Sequence, residues 1–305
     1  MKRLRTRIEQ CRQALQIHGG VLPMCAAALA VRLSRIPIPS RRLRIKVYRT
    51  IYGKKYAPLE ETEAERPLEE YRTFNALFTR GLRPEARPIA SCSEEFLSPC
   101  DGTIQDLGSV DHNKIVTVKG VEYTIDGLLA GAEGAEFDGG SFAIIFLSPT
   151  DCHRIFSPQD GCIESVTHVP GYRLLVHPPF QRREYPVYSL NERVILRLKT
   201  PLGQCALVLV AGWGVGHITL PFDRNYRVRP GRMTRTGYST PIRVNRGSWI
   251  GTFELGSTAI LITQKGMSNS ATANLNEKIK YGQPLFAREF CPGSDSSHDG
   301  SEFSG

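Results

Sequence analysis

The 305-residue sequence has no apolar run long enough to cross a bilayer. Its longest, Val21 to Val31, falls well short of the ~20 residues a spanning helix needs and is closed by Arg32. That run starts far from Met1 and is followed by no A-x-A site, so a cleaved secretion signal is not expected. No Cys-x-x-Cys pair occurs among Cys11, Cys25, Cys92, Cys100, Cys152, Cys162, Cys205 and Cys291, which excludes a zinc knuckle and argues for reduced, buried thiols over a disulfide framework. There is no G-x-x-x-x-G-K-[ST], no H-E-x-x-H and no G-x-S-x-G, so NTPase, zincin and α/β-hydrolase readings lose their usual handles. Acidic residues are nearly missing from the first 58 positions, where Glu9 stands against fourteen Lys/Arg; the rest of the chain is net −4 and the whole +9. A basic arm on a mildly acidic body calls for an anionic partner, a membrane surface or nucleic acid.

The arm carries its cations on amphipathic patterns. Met1, Leu4, Ile8, Cys11 and Leu15 make one apolar stripe, a second apolar helix is expected from Val21 to Ile36 until Pro37 and Pro39 stop it, and a third from Leu43 to Tyr52. Such helices lie in a lipid interface; the alternative is a helical hairpin packed on the body with its cations solvated. Nucleic acid is disfavoured because the basic residues alternate with an apolar stripe and not with stacking aromatics. Residues 53–66 read as a charged linker, and Pro67 as the start of a helix with Tyr71, Phe74, Leu77 and Phe78 on one face. Beyond Phe96 the pattern becomes β: Thr103–Leu107, Lys114–Lys119, Ser141–Leu147, Cys162–His168, Arg193–Leu198, Cys205–Val210, Ser248–Glu254 and Thr258–Thr263 recur between turn residues. The expectation is an α+β fold: a basic helical membrane-association segment over 1–58, a β-rich catalytic body over 59–291, and a Ser/Gly/Asp-rich disordered tail over 292–305.

Several places on this body have chemical potential. Gly212-Trp-Gly-Val-Gly216 leads into His217-Ile-Thr-Leu-Pro, a strand and not a helix, so it reads as a bulge and not a dinucleotide loop. Asp101-Gly102 is a turn signal ahead of a strand. Phe146-Leu-Ser-Pro-Thr-Asp-Cys-His153-Arg154 sets a histidine and an arginine just past an apolar strand, where catalytic groups often sit. Asp151, Cys152 and His153 are consecutive and do not converge on one ion, so no metal is expected. Leu255-Gly256-Ser257-Thr258 lies between two strands: Gly-Ser there is normally a tight bend, yet a serine can attack the unshielded carbonyl of a preceding glycine if a base takes its proton.

These segments together carry a resemblance. Tyr71-Arg-Thr-Phe-Asn-Ala-Leu-Phe-Thr-Arg-Gly-Leu-Arg-Pro-Glu-Ala-Arg-Pro-Ile89, Ser98-Pro-Cys-Asp101-Gly102, the His153 run, Asn191-Glu-Arg-Val194 and Leu255-Gly-Ser-Thr258 stand in the order and spacing of phosphatidylserine decarboxylases, over roughly residues 40–290. The resemblance implies a proenzyme in which Ser257 attacks Gly256, β-elimination splits the chain, and dehydroalanine hydrolyses to a pyruvoyl group that forms a Schiff base with substrate. The products would be a β chain to Gly256 and an α chain from Ser257. Asp101 matches the aspartate that, with a histidine, activates the serine during maturation, and His153 matches the histidine of the decarboxylation step. The implied reaction turns phosphatidylserine into phosphatidylethanolamine and CO₂, on an anionic phospholipid membrane that the basic arm suits, peripherally on the cytoplasmic side of the cell membrane, and in a homodimer. Two positions depart from the family pattern. Phe156 stands where a second histidine, the usual maturation base, is common, and Trp249 where a glutamate is usual. Three outcomes stay open at Phe156: His153 doubles as base, another histidine such as His217 takes over, or processing is slow or absent. The alternatives in function are a pyruvoyl decarboxylase of another serine phospholipid or amino acid, and an unprocessed membrane-binding paralogue without activity.

Overall fold

The computed structural model describes residues 21–55, 59–117, 119–131, 133–176, 185–212, 218–226, 231–254, 257–270 and 273–288. The Met1–Leu15 stripe, the Gly216 segment with His217 and the tail beyond Pro292 lie outside the described residues. Five α-helices are described: α1 (Val21–Ser34), α2 (Arg41–Lys55), α3 (Phe74–Phe78), α4 (Ile125–Leu129) and α5 (Val187–Leu190). Sixteen strands accompany them: β1 (Glu95–Leu97), β2 (Gly102–Ser109), β3 (Lys114–Val116), β4 (Glu122–Thr124), β5 (Ser141–Leu147), β6 (Arg154–Phe156), β7 (Gly161–Val169), β8 (Arg193–Thr200), β9 (Gly203–Ala211), β10 (Ile218–Thr219), β11 (Thr234–Val244), β12 (Trp249–Phe253), β13 (Ser257–Thr263), β14 (Met267–Asn269), β15 (Lys278–Ile279) and β16 (Pro284–Arg288). The architecture is α+β with a β-rich body.

An eight-stranded sheet in the order β11-β7-β8-β9-β13-β5-β2-β15 forms the body, with every neighbouring pair antiparallel. Alternate residues of its central strands feed two cores. One face gives Ala259, Leu261, Leu209 and Leu196 to a core shared with Ile155, Ile250 and Phe253 of a small sheet, β10-β12-β6. The other gives Ile260, Ile262, Val208 and Ile144 to a core with Ile125 and Leu128 of α4 and with Tyr123 and Tyr188. A sheet covered on both faces wants unbroken apolar runs, which is what Ala259–Ile262 and Ala206–Val210 supply.

The N-terminal helices divide their surfaces. Tyr48 and Tyr52, one turn apart on α2, are buried with Leu68, Tyr71 and Leu77, and the Tyr48 hydroxyl donates to the Tyr71 carbonyl at 2.8 Å. Leu29, Leu33, Ile36 and Leu43 are instead each about half exposed. The single helix expected from Pro67 is two short pieces. Residues 68–70 form one 3₁₀ turn, Tyr71 is extended, and Thr73 caps α3 afresh by accepting from the Ala76 amide at 3.0 Å. The expected linker is docked through its acids: Glu61 pairs with Arg49, Glu63 with Arg87 and Lys280, and Glu65 with Arg154. The strand expected to run to Lys119 ends at Val116, because Thr117 turns the chain by bonding the Val121 amide and carbonyl.

Candidate active site

Two chain segments change sheets at the same place. Leu147 ends β5 in the large sheet, and after residues 148–153 the chain enters the small sheet as β6. Phe253 ends β12 in the small sheet, and after Glu254 and two residues outside the described set, Leu255 and Gly256, the chain enters the large sheet as β13. Ser257 takes its register opposite Leu147 on one side and Ala211 on the other. At the other end of the crossing Arg154 pairs with Thr252, and the Phe253 amide donates to the His153 carbonyl at 3.0 Å. Ser257 therefore enters the large sheet beside Leu147, the residue from which the loop ending in His153 sets out.

That loop is held from within. The Asp151 carboxylate accepts from the Ser148 amide at 2.7 Å and from Lys278 Nζ at 2.9 Å. His153 is fully buried, and the Phe78 ring lies with its centroid 3.8 Å from the imidazole. Its Nδ1 is 3.0 Å from the Asp151 carbonyl, which can only accept, so Nδ1 carries the proton and Nε2 the lone pair. Nε2 is buried without a hydrogen-bond partner. Burial drives the imidazole pKa down to about 3, against the pull of Asp151, and Arg80 pushes the same way as burial. The ring is neutral, with a base lone pair that has no hydrogen-bond partner among the described residues. Burial likewise holds the Cys152 thiol up at about 11 and the Cys100 thiol well above its usual range, so both stay protonated.

Asp101 sits at the start of β2, one residue before Gly102. A Cβ on Gly102 would fall 2.5 Å from the Phe146 carbonyl oxygen, so glycine is required there by close strand approach and not by a turn conformation. The Asp101 carboxylate is engaged by Arg87: Nε reaches Oδ1 at 3.0 Å and Oδ2 at 3.1 Å, and Nη2 reaches Oδ2 at 2.6 Å. The Tyr281 amide donates to Oδ1 at 3.0 Å. Arg87 spans to Glu63 as well, at 2.7 Å. Burial alone would lower the Arg87 pKa; the bonds to Asp101 and Glu63 outweigh it and raise it, so the guanidinium stays charged. The structure thus brings Asp101 and His153 to one end of the sheet without a hydrogen bond between them. No imidazole touches Asp101 among the described residues.

Phe156 is buried and stacks on Tyr281, with ring centroids 3.7 Å apart and planes 15° from parallel. Trp249 is the register partner of Phe156 across β12 and β6. Its indole N–H donates to the Gly251 carbonyl at 2.8 Å, and the Arg154 guanidinium lies 4.4 Å over its ring. The two residues singled out in the sequence as departures are therefore one cross-strand pair. An aromatic pair stands where a histidine and a carboxylate would face each other.

Residues 74–287 match the phosphatidylserine decarboxylase family. The chain belongs to that family. Relatives that bear the name phosphatidylserine decarboxylase proenzyme include one from Myxococcus xanthus (strain DK1622), 35% identical over 248 residues that make up 79% of this chain and 86% of the relative. One from Nitrosococcus oceani is 35% identical over 280 residues, 89% of this chain and 90% of the relative. One from Bordetella avium (strain 197N) is 38% identical over 232 residues, 74% and 79% of the two chains.

Within this decarboxylase framework the Asn191-Glu-Arg motif acquires a structural meaning that the sequence did not reveal. Asn191 is buried and binds the Leu174 amide and carbonyl and, at 2.7 Å, the Ala211 carbonyl beside the Ser257 register. The Ala211 amide returns a bond to the Glu192 carbonyl at 2.8 Å. The Glu192 carboxylate holds buried His168 at 3.2 Å and Arg173 at 3.1 Å. Arg193 is buried and ties down the carbonyls of Gly127, Leu128 and Ser189. Arg87 and Arg80 were also missed: both lie in the segment quoted for the family resemblance, but a sequence pattern does not distinguish a buried arginine from a solvated one.

Proposed function

We propose that the chain is a self-processing carboxy-lyase. It cuts itself between Gly256 and Ser257, keeps Ser257 as a pyruvoyl group, and decarboxylates phosphatidylserine to phosphatidylethanolamine and CO₂. The observation that carries this reading is the Nε2 of His153, neutral, buried and without a hydrogen-bond partner, on the loop that leaves Leu147 beside Ser257. In the first step the Ser257 hydroxyl oxygen bonds to the Gly256 carbonyl carbon and the peptide C–N bond breaks. The serine proton passes through the base to the freed nitrogen. Loss of the Ser257 α-proton then expels the Gly256 carboxylate, and water converts the resulting dehydroalanine to a keto group with release of ammonia. His153 is the base in this reading. Asp101 serves maturation by fixing Arg87 and the Tyr281 backbone beside the crossing.

The surroundings suit a ketone. The register partners of Ser257 are the apolar Leu147 and Ala211, and the two protonated thiols at this end do not add to a carbonyl. The pyruvoyl group supplies an electrophilic carbonyl conjugated to an amide, an electron sink for the pair released with CO₂. His153 Nε2 then returns a proton to the substrate α-carbon.

The substrate is a lipid, and the arm suits it. Leu29, Leu33 and Ile36 recur at helical spacing with Arg32 and Arg35 between them, all exposed, and Leu43 follows beside Arg41 and Arg42. Each cation near an anionic bilayer is worth ~1 kcal/mol. No helix among the described residues is long and apolar enough to cross a membrane; in this reading the arm lies on the membrane surface, on the cytoplasmic side of the cell membrane. The test is intact mass and a denaturing gel of the purified protein, then CO₂ release from phosphatidylserine vesicles. Two chains split at Gly256/Ser257, the smaller starting in a carbonyl, are expected, with Ser257→Ala uncut. A wild-type chain that stays whole overturns the reading.

A further inference from the structure

Arg80 is a charged residue with only 3% of its surface exposed. It follows α3 and inserts its side chain into the 148–153 loop, where Nη2 donates to the Thr150 carbonyl at 2.7 Å. Its own carbonyl lies 3.7 Å from Cys152 Sγ, so both ends of the residue are fixed to the loop that carries His153. Its remaining donors are unmet: Nε and Nη1 are both buried without a hydrogen-bond partner. The nearby carboxylates are committed elsewhere, Asp151 to the Ser148 amide and Lys278, and Glu65 to Arg154 and Arg66. The guanidinium is close enough to His153 to lower its pKa. A buried guanidinium with no counter-charge costs several kcal/mol, and orphaned buried donors are rare in folded proteins. An oxyanion arriving at this point relieves both costs at once, because it neutralises the charge and turns the unmet donors into charge-assisted hydrogen bonds.

We propose that Arg80 supplies the donors of a buried oxyanion subsite beneath the 148–153 loop, which receives an anionic group of the substrate headgroup. This inference rests on the decarboxylase reading above and assigns a specificity-determining residue within it. The headgroup offers two oxyanions, the serine carboxylate and the phosphodiester. They are separable because the product keeps the phosphodiester and has lost the carboxylate.

The experiment uses the mature, cleaved enzyme in mixed micelles, with Arg80→Gln and Arg80→Lys. Cleavage of every variant is checked first by gel: a wild type that does not cleave defeats the decarboxylase reading, whereas cleaved variants keep it standing whatever follows. For Arg80→Gln the KM for phosphatidylserine rises at least tenfold with a smaller change in kcat, and Arg80→Lys recovers part of the loss. Soluble glycerophosphoserine and glycerophosphoethanolamine are the probes, read as inhibition constants. If the phosphodiester occupies the subsite, both weaken by similar factors in Arg80→Gln. If the carboxylate does, only glycerophosphoserine weakens. A KM and both inhibition constants within twofold of wild type overturn the proposal. Should Arg80→Gln fail to fold, Arg80→Lys is read alone, together with the melting temperature of uncut Ser257→Ala. Glycerophosphoserine raises that temperature when Arg80 is present and by less in Arg80→Lys; no rise in the Arg80 protein overturns the proposal equally.

Discussion

The engagement of Asp101 by Arg87 gives the proposed role of Asp101 in cleavage a quantitative test. Take Arg87→Met and Asp101→Asn, each alone and together. The pair is buried, with side chains 5% and 6% exposed, and its closest contact is 2.6 Å. Removing either partner leaves the other charge buried, which costs roughly 3–5 kcal/mol. For Arg87→Met, Asp101 keeps the Tyr281 amide; for Asp101→Asn, Arg87 keeps Glu63, so both singles fall toward the lower end. A chain of this length loses about 0.6 kcal/mol of stability per degree near its melting point, so each single change lowers the melting temperature by roughly 5–8 °C. The double change removes both charges together and costs at least about 2 kcal/mol less than the sum of the singles. The assay is thermal unfolding on the uncut Ser257→Ala background, run beside the rate of self-cleavage in chains that retain Ser257. If Asp101 acts through this clamp, Arg87→Met slows cleavage about as much as Asp101→Asn. Additive melting shifts, or an Arg87→Met chain that cleaves at the wild-type rate while Asp101→Asn does not, would refute the reasoning.

Other expectations follow from single features. His153 is depressed to about 3 when folded and titrates near 6.5 when unfolded, so as pH falls from about 6.5 toward 3 the unfolded chain takes a proton the folded one refuses, and stability drops by about 1.4 kcal/mol per pH unit from this site. On the uncut background His153→Gln should therefore gain about 2 kcal/mol relative to its parent between pH 6.5 and 5; a constant difference between the two would speak against a neutral buried imidazole. Phe156→His should lower stability by roughly 1–3 kcal/mol, because it gives up the Tyr281 stack and buries an imidazole. Adding Trp249→Glu on the facing strand should restore part of that loss and raise the cleavage rate, which a double-mutant cycle would read as a coupling and which strictly additive changes would contradict. Arg35 of the arm bonds Glu254, two residues before Gly256 of the proposed cleavage site, at 2.5 Å. Being exposed, that pair is worth at most ~1 kcal/mol in stability; Arg35→Glu should slow cleavage by up to about fivefold, with recovery in the swap Arg35→Glu/Glu254→Arg, and no recovery would show that the contact does not position the crossing. Gly102→Ala, which places a methyl against the Phe146 carbonyl, should destabilise the chain by at least about 2 kcal/mol and abolish cleavage; normal cleavage would mean the strands part at little cost.

The central strands were legible because their environment is simple. Ser141–Leu147 and Thr258–Thr263 lie inside a sheet covered on both faces, so burial writes itself into composition. β11 was not legible: an edge strand with most side chains exposed, interrupted between Gly237 and Ile242 in its pairing, has no apolar alternation to read. The helix after Pro67 was read as continuous because Tyr71, Phe74, Leu77 and Phe78 share a helical spacing; the Thr73 cap, a local hydrogen bond, won over that pattern. At the candidate site, Ser257, His153 and Asp101 are picked out by residue type, order and family resemblance. What stayed hidden was pairing at a distance: Arg87 on Asp101, Phe156 opposite Trp249, and a guanidinium under the His153 loop. Each of these joins residues far apart in the chain, Phe156 and Trp249 across one sheet and the two arginines from the ends of helical segments, and no local periodicity records such a meeting.

The place of β13 has a consequence for the lifetime of the protein. Seven residues of this strand are paired on one side with β9 and six on the other with β5, and its continuation supplies β15 beside β2 and β16 beside β1. In the proposed maturation, cleavage before Ser257 makes the middle of the main sheet a separate polypeptide, threaded between strands of the other. Assembly has to precede the cut, while the tether still holds the two segments at a high effective concentration. After the cut an unfolding event releases two fragments whose reunion is second order, and the longer of them exposes the flanks of β5 and β9 as open edges. A chain matured in this way is a one-way product: its persistence is set by the height of its unfolding barrier, not by an equilibrium with its fragments.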